Sequence, residues 1–255
     1  MLSVTWYGNA TLKISTKDSR LVFDPYVTQN PKLPKLRFAD IKDVAAILVT
    51  HGHFDHVADI PAFSGRFEAP IVLPAEVAEN LKKRPGIRSD SFRVPEFLKP
   101  LSFGSLTATM YRGRHIKFDQ PLVAKTLLRA ITAPKRFLEI AKAPFPEGRC
   151  VCWLIEYQGF KLFHLGSLGL DPDETYPADV DLLSVPLQGH SKIHTMAFDM
   201  IEKFKPKSVL LHHFDDGFPP VSQQIPTEPI VERLNKMHPE TKIMVPEYGK
   251  TIGIL

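Results

Sequence analysis

Cysteine is nearly absent from this chain. Cys150 and Cys152 are the only two in 255 residues, so no disulfide framework holds the fold. They stand two apart in the strand-like run Cys150-Val151-Cys152-Trp153-Leu154-Ile155, where a bridge between them is sterically poor. Two small apolar residues on one face of a strand is the favoured reading, with a thiolate metal pair as its rival. The pair fits a reducing compartment. Long apolar runs are missing too: none approaches the roughly 20 residues a helix needs to span a bilayer. The first residues pass straight into a strand pattern and carry no secretory signature, so a cytoplasmic protein is expected. Charge of one sign is scarce. The net charge is +4 and the pI near 8.9, which is too mild to imply nucleic acid, and no aromatic-interleaved basic pattern accompanies it.

The chain is long enough to bury a full core in one large domain or two small ones. Its 44% hydrophobic and 24% charged residues are those of a globular protein. The 23 prolines suit many loops around a sheet core. Short strands are expected up to about residue 60, and a helix over Pro74 to Arg84, with Pro85 past its end. Strands resume from about Phe92 to Tyr111. Residues 116–149 lose the alternation, and Leu122 to Ala143, broken at Pro134, reads as one or two helices. Gln158-Gly159 marks a hairpin between strands at 150–157 and 160–165. Two further helices are expected, over Thr195 to Phe204 and Ile230 to Met237.

The most informative stretch is His51-Gly52-His53-Phe54-Asp55-His56. It puts four potential metal ligands within six residues, directly after the apolar run Val44 to Val49. That run reads as a buried strand, and in α/β proteins ligands bind outside the carboxyl ends of strands. In extended chain His51 and His53 point to the same side, while Asp55 and His56 follow on the turn and face a second point nearby. Imidazoles with a carboxylate suit zinc, and also iron or manganese. Histidines recur at other strand ends. His115 follows Leu106 to Arg114, His164 ends Phe160 to Phe163, and His212-His213 close Ser208 to Leu211. Adjacent residues on a strand point to opposite sides, so only one of His212 and His213 can join a shared site. His164 is expected to pack against the sheet.

These segments, in this order, resemble the metallo-β-lactamase-fold hydrolases, and more narrowly the branch with the ascorbate-phosphate lactonase and the N-acyl-phosphatidylethanolamine phospholipase D. Trp6-Tyr7-Gly8-Asn9-Ala10-Thr11 resembles the branch's W-x-G-H-A-[ST] opening, with Asn9 in place of the usual histidine. Leu21 to Pro25 resembles its I-L-I-D-P segment, and the H-x-H-x-D-H motif matches in full. Leu210-Leu211-His212-His213-Phe214 resembles the segment carrying the last ligand, and Met244 to Ile252 resembles the closing strand. The resemblance implies an α+β fold: a four-layer αββα sandwich in a single domain over 1–255, with a helical insertion at about 116–149.

For the site, the resemblance implies His51, His53 and His115 around one metal and Asp55, His56 and His213 around a second. Zinc is the expected ion, one or two, with manganese or iron as alternatives. One departure stands out. Gly166-Ser167-Leu168-Gly169 takes the place of G-D-[TS]-G, so Ser167 stands where an aspartate normally bridges the metals. Serine is a poor ligand without the bridging charge. Asp171 and Asp173 are the nearby substitutes to test. Asp24 is a candidate to accept a hydrogen bond from a ligand imidazole and fix its tautomer. Asn9 could orient a substrate oxygen, His190 donate a proton, and Arg114 offer a fork to an anion.

The expected function is a metal-dependent hydrolase. Asp55 would orient or deprotonate a water acting on a phosphodiester, lactone or amide of small-molecule size. Lys125, Arg129, Lys135, Arg136, Lys142 and Arg149 outnumber Glu139 and Glu147 in the insertion, so an anionic substrate under a basic lid is expected, with a merely solvated surface as the alternative. Two rival classes stay open: a metal- or ligand-binding protein with little turnover, and an iron-dependent oxidoreductase. Self-association is left open.

Overall fold

The computed structural model describes residues 1–28, 41–84, 86–142 and 145–255. Two sheets face each other. The first has seven strands: β1 (Ser3–Trp6), β2 (Leu12–Ser15), β3 (Arg20–Phe23), β4 (Ala46–Leu48), β5 (Ile71–Val72), β6 (Phe92–Arg93) and β15 (Thr251–Gly253), in the order β15-β1-β2-β3-β4-β5-β6. The second has eight: β7 (Pro100–Phe103), β8 (Leu106–Arg114), β9 (Val151–Tyr157), β10 (Phe160–His164), β11 (Gly169–Leu170), β12 (Leu182–Pro186), β13 (Ser208–His212) and β14 (Lys242–Met244). Its order is β11-β8-β9-β10-β12-β13-β14, with β7 paired to β8. Antiparallel hairpins form one side of each sheet, and parallel crossovers the other: β3-β4-β5-β6 and β10-β12-β13-β14.

The period-2 alternation of the strands sorts their side chains into separate layers. Ala46 and Leu48 of β4 enter the core between the sheets with Trp6, Phe23 and Trp153. Ile47 and Val49 face outward and pack beneath α2 (Ile60–Arg66) and α3 (Ala75–Lys82) with Phe63, Val77 and Leu81. Leu210 of β13 likewise faces inward. Val209 and Leu211 pack beneath α6 (Ile193–Phe204) and α7 (Glu228–Met237) with Phe198, Ile201 and Leu234. The result is the expected four layers, helices–sheet–sheet–helices. Because β4 is buried on both faces, Ile47→Ala would leave a cavity costing about 2–5 kcal/mol.

Most expected elements lie close to their sequence positions. Pro74 is the residue before α3; Pro85 lies outside the described residues. The 116–149 segment contains α4 (Gln120–Ala130) and α5 (Pro134–Lys142), separated at the expected proline. Gln158 and Gly159 both take positive φ, 49° and 82°, as a tight hairpin turn needs. The sequence did not announce α2. Pro61 and Gly65 lower its propensity, yet a proline in the first turn lacks only a donor that would be unpaired there anyway. Burial of Ile60 and Phe63 then favours the helix.

Candidate active site

β4 runs parallel to both its neighbours and delivers Thr50 and His51 to the carboxyl edge of the first sheet. His53 stays extended (φ −61°, ψ 149°) as the N-cap of α1 (Phe54–Val57). Asp55 and His56 therefore turn with the helix, away from the His51–His53 pair. Gly52 is required between them: a Cβ there would lie 2.3 Å from the Pro146 carbonyl oxygen. Its N–H donates to the Glu147 carbonyl at 2.7 Å. His115 arrives from the end of β8. His213 follows β13 in a left-handed conformation (φ 56°), and its N–H donates to the Asn9 carbonyl at 2.9 Å. That kink turns His213 toward the site while His212 points into the core and stacks on His164, 5.0 Å between ring centroids.

Two groups of donors result, His51–His53–His115 and Asp55–His56–His213, and within each the offered atoms lie within 4.8 Å of one another. Ring centroids are 4.8 Å apart for His51–His53, 4.9 Å for His51–His115 and 4.5 Å for His53–His115. His51 and His56 are adjacent at 3.9 Å, so the groups share a floor.

Neighbouring groups decide which ring nitrogen faces that floor. The Thr50 hydroxyl donates its single hydrogen to Asp24 Oδ2 at 2.8 Å. Its oxygen, 3.0 Å from His51 Nδ1, must then accept. His51 thus carries its proton on Nδ1, and Nε2 is buried without a protein partner. His115 Nδ1 lies 2.7 Å from the Ile116 carbonyl, and His56 Nδ1 lies 3.0 Å from Asp24 Oδ2. In all three, an outer partner holds Nδ1–H, as in ligating histidines, and leaves Nε2 for the floor, where that of His56 lies 3.7 Å from Asp55 Oδ2. Asp24 is fully buried and also accepts the Thr50 N–H at 2.8 Å. It therefore lies directly behind the imidazole of His56 and the hydroxyl of Thr50. Thr50, which completes this network, was not singled out from sequence; its position directly before the H-x-H pair was the available signal.

Protonation differs between the groups. Burial first, and then neighbouring imidazoles, hold His51 well below the usual histidine range and His115 down to about 4. Burial also lowers His53. For His56 burial pulls the same way, but the Asp24 and Asp55 carboxylates outweigh it and raise the pKa. Burial disfavours the Asp55 anion, yet His56 and His213 more than compensate and keep it ionised. Its Oδ2 is 3.1 Å from His213 Nε2. Imidazole nitrogens buried without a partner on His51 and His213, beside an ionised Asp55, form a donor set that fits divalent metal ions.

The floor opens into a cavity of about 360 Å³. Its walls are apolar: Ile116, Phe118, Leu122, Val123, Leu127 and Phe137. Four of the six come from α4 and α5 (Leu122, Val123, Leu127 and Phe137), so the insertion borders the site as expected. Among the described residues no lysine or arginine lines the cavity.

Several expected roles are redirected. Ser167 lines the cavity, and its Oγ accepts the Ile116 N–H at 2.9 Å. Asp171 and Asp173 do not replace the missing bridge: Asp171 pairs with Arg114 at 3.5 Å and accepts the Asp173 N–H. Arg114 is thereby committed to Asp171 and gives no fork to the cavity. His190 is also a correction as proton donor. It is absent from the cavity wall; its Nδ1 accepts the Lys192 N–H at 3.0 Å and lies 3.8 Å from Asp119. Asn9 does not line the cavity either. Its side chain is buried without a partner, and its backbone carbonyl supports His213 and the Trp6 indole. His164 does more than pack: its Nδ1 is 3.0 Å from Ser184 Oγ, and its Nε2 is 4.0 Å from Asp24, an electrostatic contact too long for a hydrogen bond.

Comparison with known proteins agrees with this picture. A beta-lactamase superfamily domain model matches residues 19–214. A UPF0173 metal-dependent hydrolase of Polaromonas sp. is 30% identical, covering 88% of this chain and 81% of the relative. A second, of Methanobrevibacter smithii, is 28% identical over 87% of this chain and 85% of that one. Among solved structures, a metallo hydrolase of the archaeon Ignicoccus hospitalis superposes with a TM-score of 0.68 at 16% identity, covering 98% of this chain and 97% of that one.

Proposed function

We propose that this chain, which belongs to the beta-lactamase superfamily and is a metal-dependent hydrolase of the metallo-β-lactamase fold, cleaves a phosphodiester, lactone or amide joined to an apolar body. One observation carries this reading. Two three-donor groups share a floor beneath an apolar cavity. In this reading His51, His53 and His115 hold one ion and Asp55, His56 and His213 a second. Zinc suits the set best, with manganese and iron as alternatives. Bound there, such an ion supplies Lewis acidity and a water whose pKa is near neutral.

The chain's own groups do the remaining work. Asp55 is the ionised carboxylate at the floor, placed to orient a water and to accept its proton. Asp24 and Thr50 fix the tautomers of His56 and His51, so the floor needs little reorganisation when substrate arrives. Ser167 uses its oxygen to accept from Ile116, which leaves its O–H to donate toward the cavity. The wall of Phe118, Leu122, Val123, Leu127 and Phe137 takes the apolar body and excludes water. Among the described residues the wall holds no guanidinium or ammonium, which favours an apolar body there and the polar scissile group on the floor.

Elemental analysis of protein purified without chelator, followed by stripping and reconstitution with zinc, manganese or iron, tests the metal. Nitrophenyl phosphodiesters, lactones and anilides, each with short and long alkyl bodies, test the substrate. Turnover on one class should vanish on stripping and return with a divalent ion, and kcat/KM should rise with alkyl length. Metal-independent turnover, or a preference for short charged substrates, would overturn the reading.

A further inference from the structure

The apolar wall of the cavity continues onto the outside of the molecule. Among the described residues, twelve large hydrophobic side chains are exposed. Six of these twelve fall between residues 118 and 138: Phe118, Val123, Leu127, Leu128, Ile131 and Leu138. Leu128 and Ile131 are 67% and 73% exposed. Val123, Leu127 and Ile131 are spaced by four and form one stripe, which Leu128 widens. Scattered exposed hydrophobics need no explanation, but a clustered strip rimmed by charge marks an interaction surface. Val123 and Leu127 both line the cavity and reach solvent, so the strip is continuous with the interior of the site.

The charge around the strip identifies what it fits. Residues 117–142 hold six lysines and arginines against two acids, an excess equal to the +4 of the whole chain. Lys117, Lys125 and Lys135 are exposed there. A second copy docking the same face would bring like charges together. An extended apolar strip flanked by ammonium groups on flexible stems matches a bilayer surface, where the strip enters the headgroup–acyl boundary and the lysines meet anionic headgroups. We infer that α4 and the turn after it dock this protein onto membranes bearing anionic lipid, with the cavity mouth facing the lipid. This inference does not rest on the hydrolase reading.

Flotation of the full chain with phosphatidylcholine vesicles, with and without phosphatidylserine, tests it. The protein should float with the phosphatidylserine vesicles, bind those of phosphatidylcholine alone at least about tenfold more weakly, and lose most of the difference at high salt. Leu128→Glu with Ile131→Glu should weaken binding by about tenfold or more. Both side chains are solvent-exposed and neither lines the cavity, so the melting temperature of this variant should match that of the parent. Lys125→Glu with Lys135→Glu should weaken binding to phosphatidylserine vesicles and leave the residual binding to phosphatidylcholine unchanged. Failure of the parent protein to float, or full binding by the Leu128/Ile131 variant, would overturn the proposal. So would a solution dimer that the same variant dissociates, since the strip would then be a face between two copies.

Discussion

The two donor groups share a floor but are built on opposite principles. His51, His53 and His115 are imidazoles that burial keeps neutral. Their lone pairs are ready, and the group carries no charge of its own. Asp55, His56 and His213 contain an ionised carboxylate, with a second, Asp24, directly behind His56. There the acidic neighbours raise the His56 pKa, so protonation competes more strongly with an ion than at the first group. The contrast teaches that one group leans on uncharged outer partners, the Thr50 hydroxyl and the Ile116 carbonyl. The other depends on an outer carboxylate and has Ser167 where the family places a bridging one.

The comparison breaks most sharply at His51. His51→Ala should abolish tight binding of the first ion and lower kcat/KM by roughly a thousandfold or more, read by metal content and kinetics together. Asp24→Asn keeps the shape but removes the charge behind His56. Affinity for the second ion should fall about 10–100-fold while the first is held as before; titration with a competing chelator separates the two. Loss of both ions equally would mean that Asp24 supports the whole floor. Ser167→Asp should act in reverse and tighten the second ion by about tenfold, because a carboxylate offsets the repulsion between cations. Two tightly held ions in the unmodified protein would show that no bridge is needed.

Acid should separate the groups as well. For each histidine of the first group the folded pKa lies below the unfolded value, so the unfolded chain takes up protons first. Its cost to stability is absent above about pH 6.5 and grows as pH falls toward about 4, where the His115 share reaches ~3 kcal/mol. His56 has the opposite sign: its contribution is present below about pH 6.5 and is lost as pH rises through the raised folded pKa. Burial lowers His164 and His212 as well, and Glu202 raises His238; with five histidines against two, the melting temperature of metal-free protein should fall between about pH 7 and pH 5, and His115→Gln should flatten the slope. A melting temperature that rises on acidification would place the carboxylate pairs in control. The smallest effect is expected from Arg114→Ala. Its guanidinium is half exposed and paired with Asp171, so kcat/KM should stay within about twofold, as for other surface ion pairs. A larger loss would return Arg114 to the substrate.

Much of the site was legible because its signals are local. The spacing of His51, His53, Asp55 and His56 after an apolar strand needed only backbone periodicity, and the family resemblance added His115 and His213 to it. The fold was legible through the resemblance of several segments in order, while the continuous apolar run through Ala46, Ile47 and Leu48 indicated only a buried strand. The misreadings concern residues whose partners are remote in sequence. Arg114 meets Asp171, His190 faces Asp119, and Asn9 supports His213 across 204 positions. No local pattern encodes such meetings.

The sequence by itself determined which ligand-type residues follow the strands and that a serine, with no carboxylate charge, occupies position 167. Tertiary structure decided which nitrogen of each ring is free, because Thr50, Asp24 and Ile116 fix that choice only once the strands are adjacent. It also decided which histidines stay neutral, since burial and neighbouring charge belong to the folded packing. And it set the character of the cavity wall. Helix period brought Leu122, Val123, Leu127 and Phe137 to the cavity and left Lys125 and Lys135 exposed, turning a segment that is basic in sequence into an apolar surface over the floor.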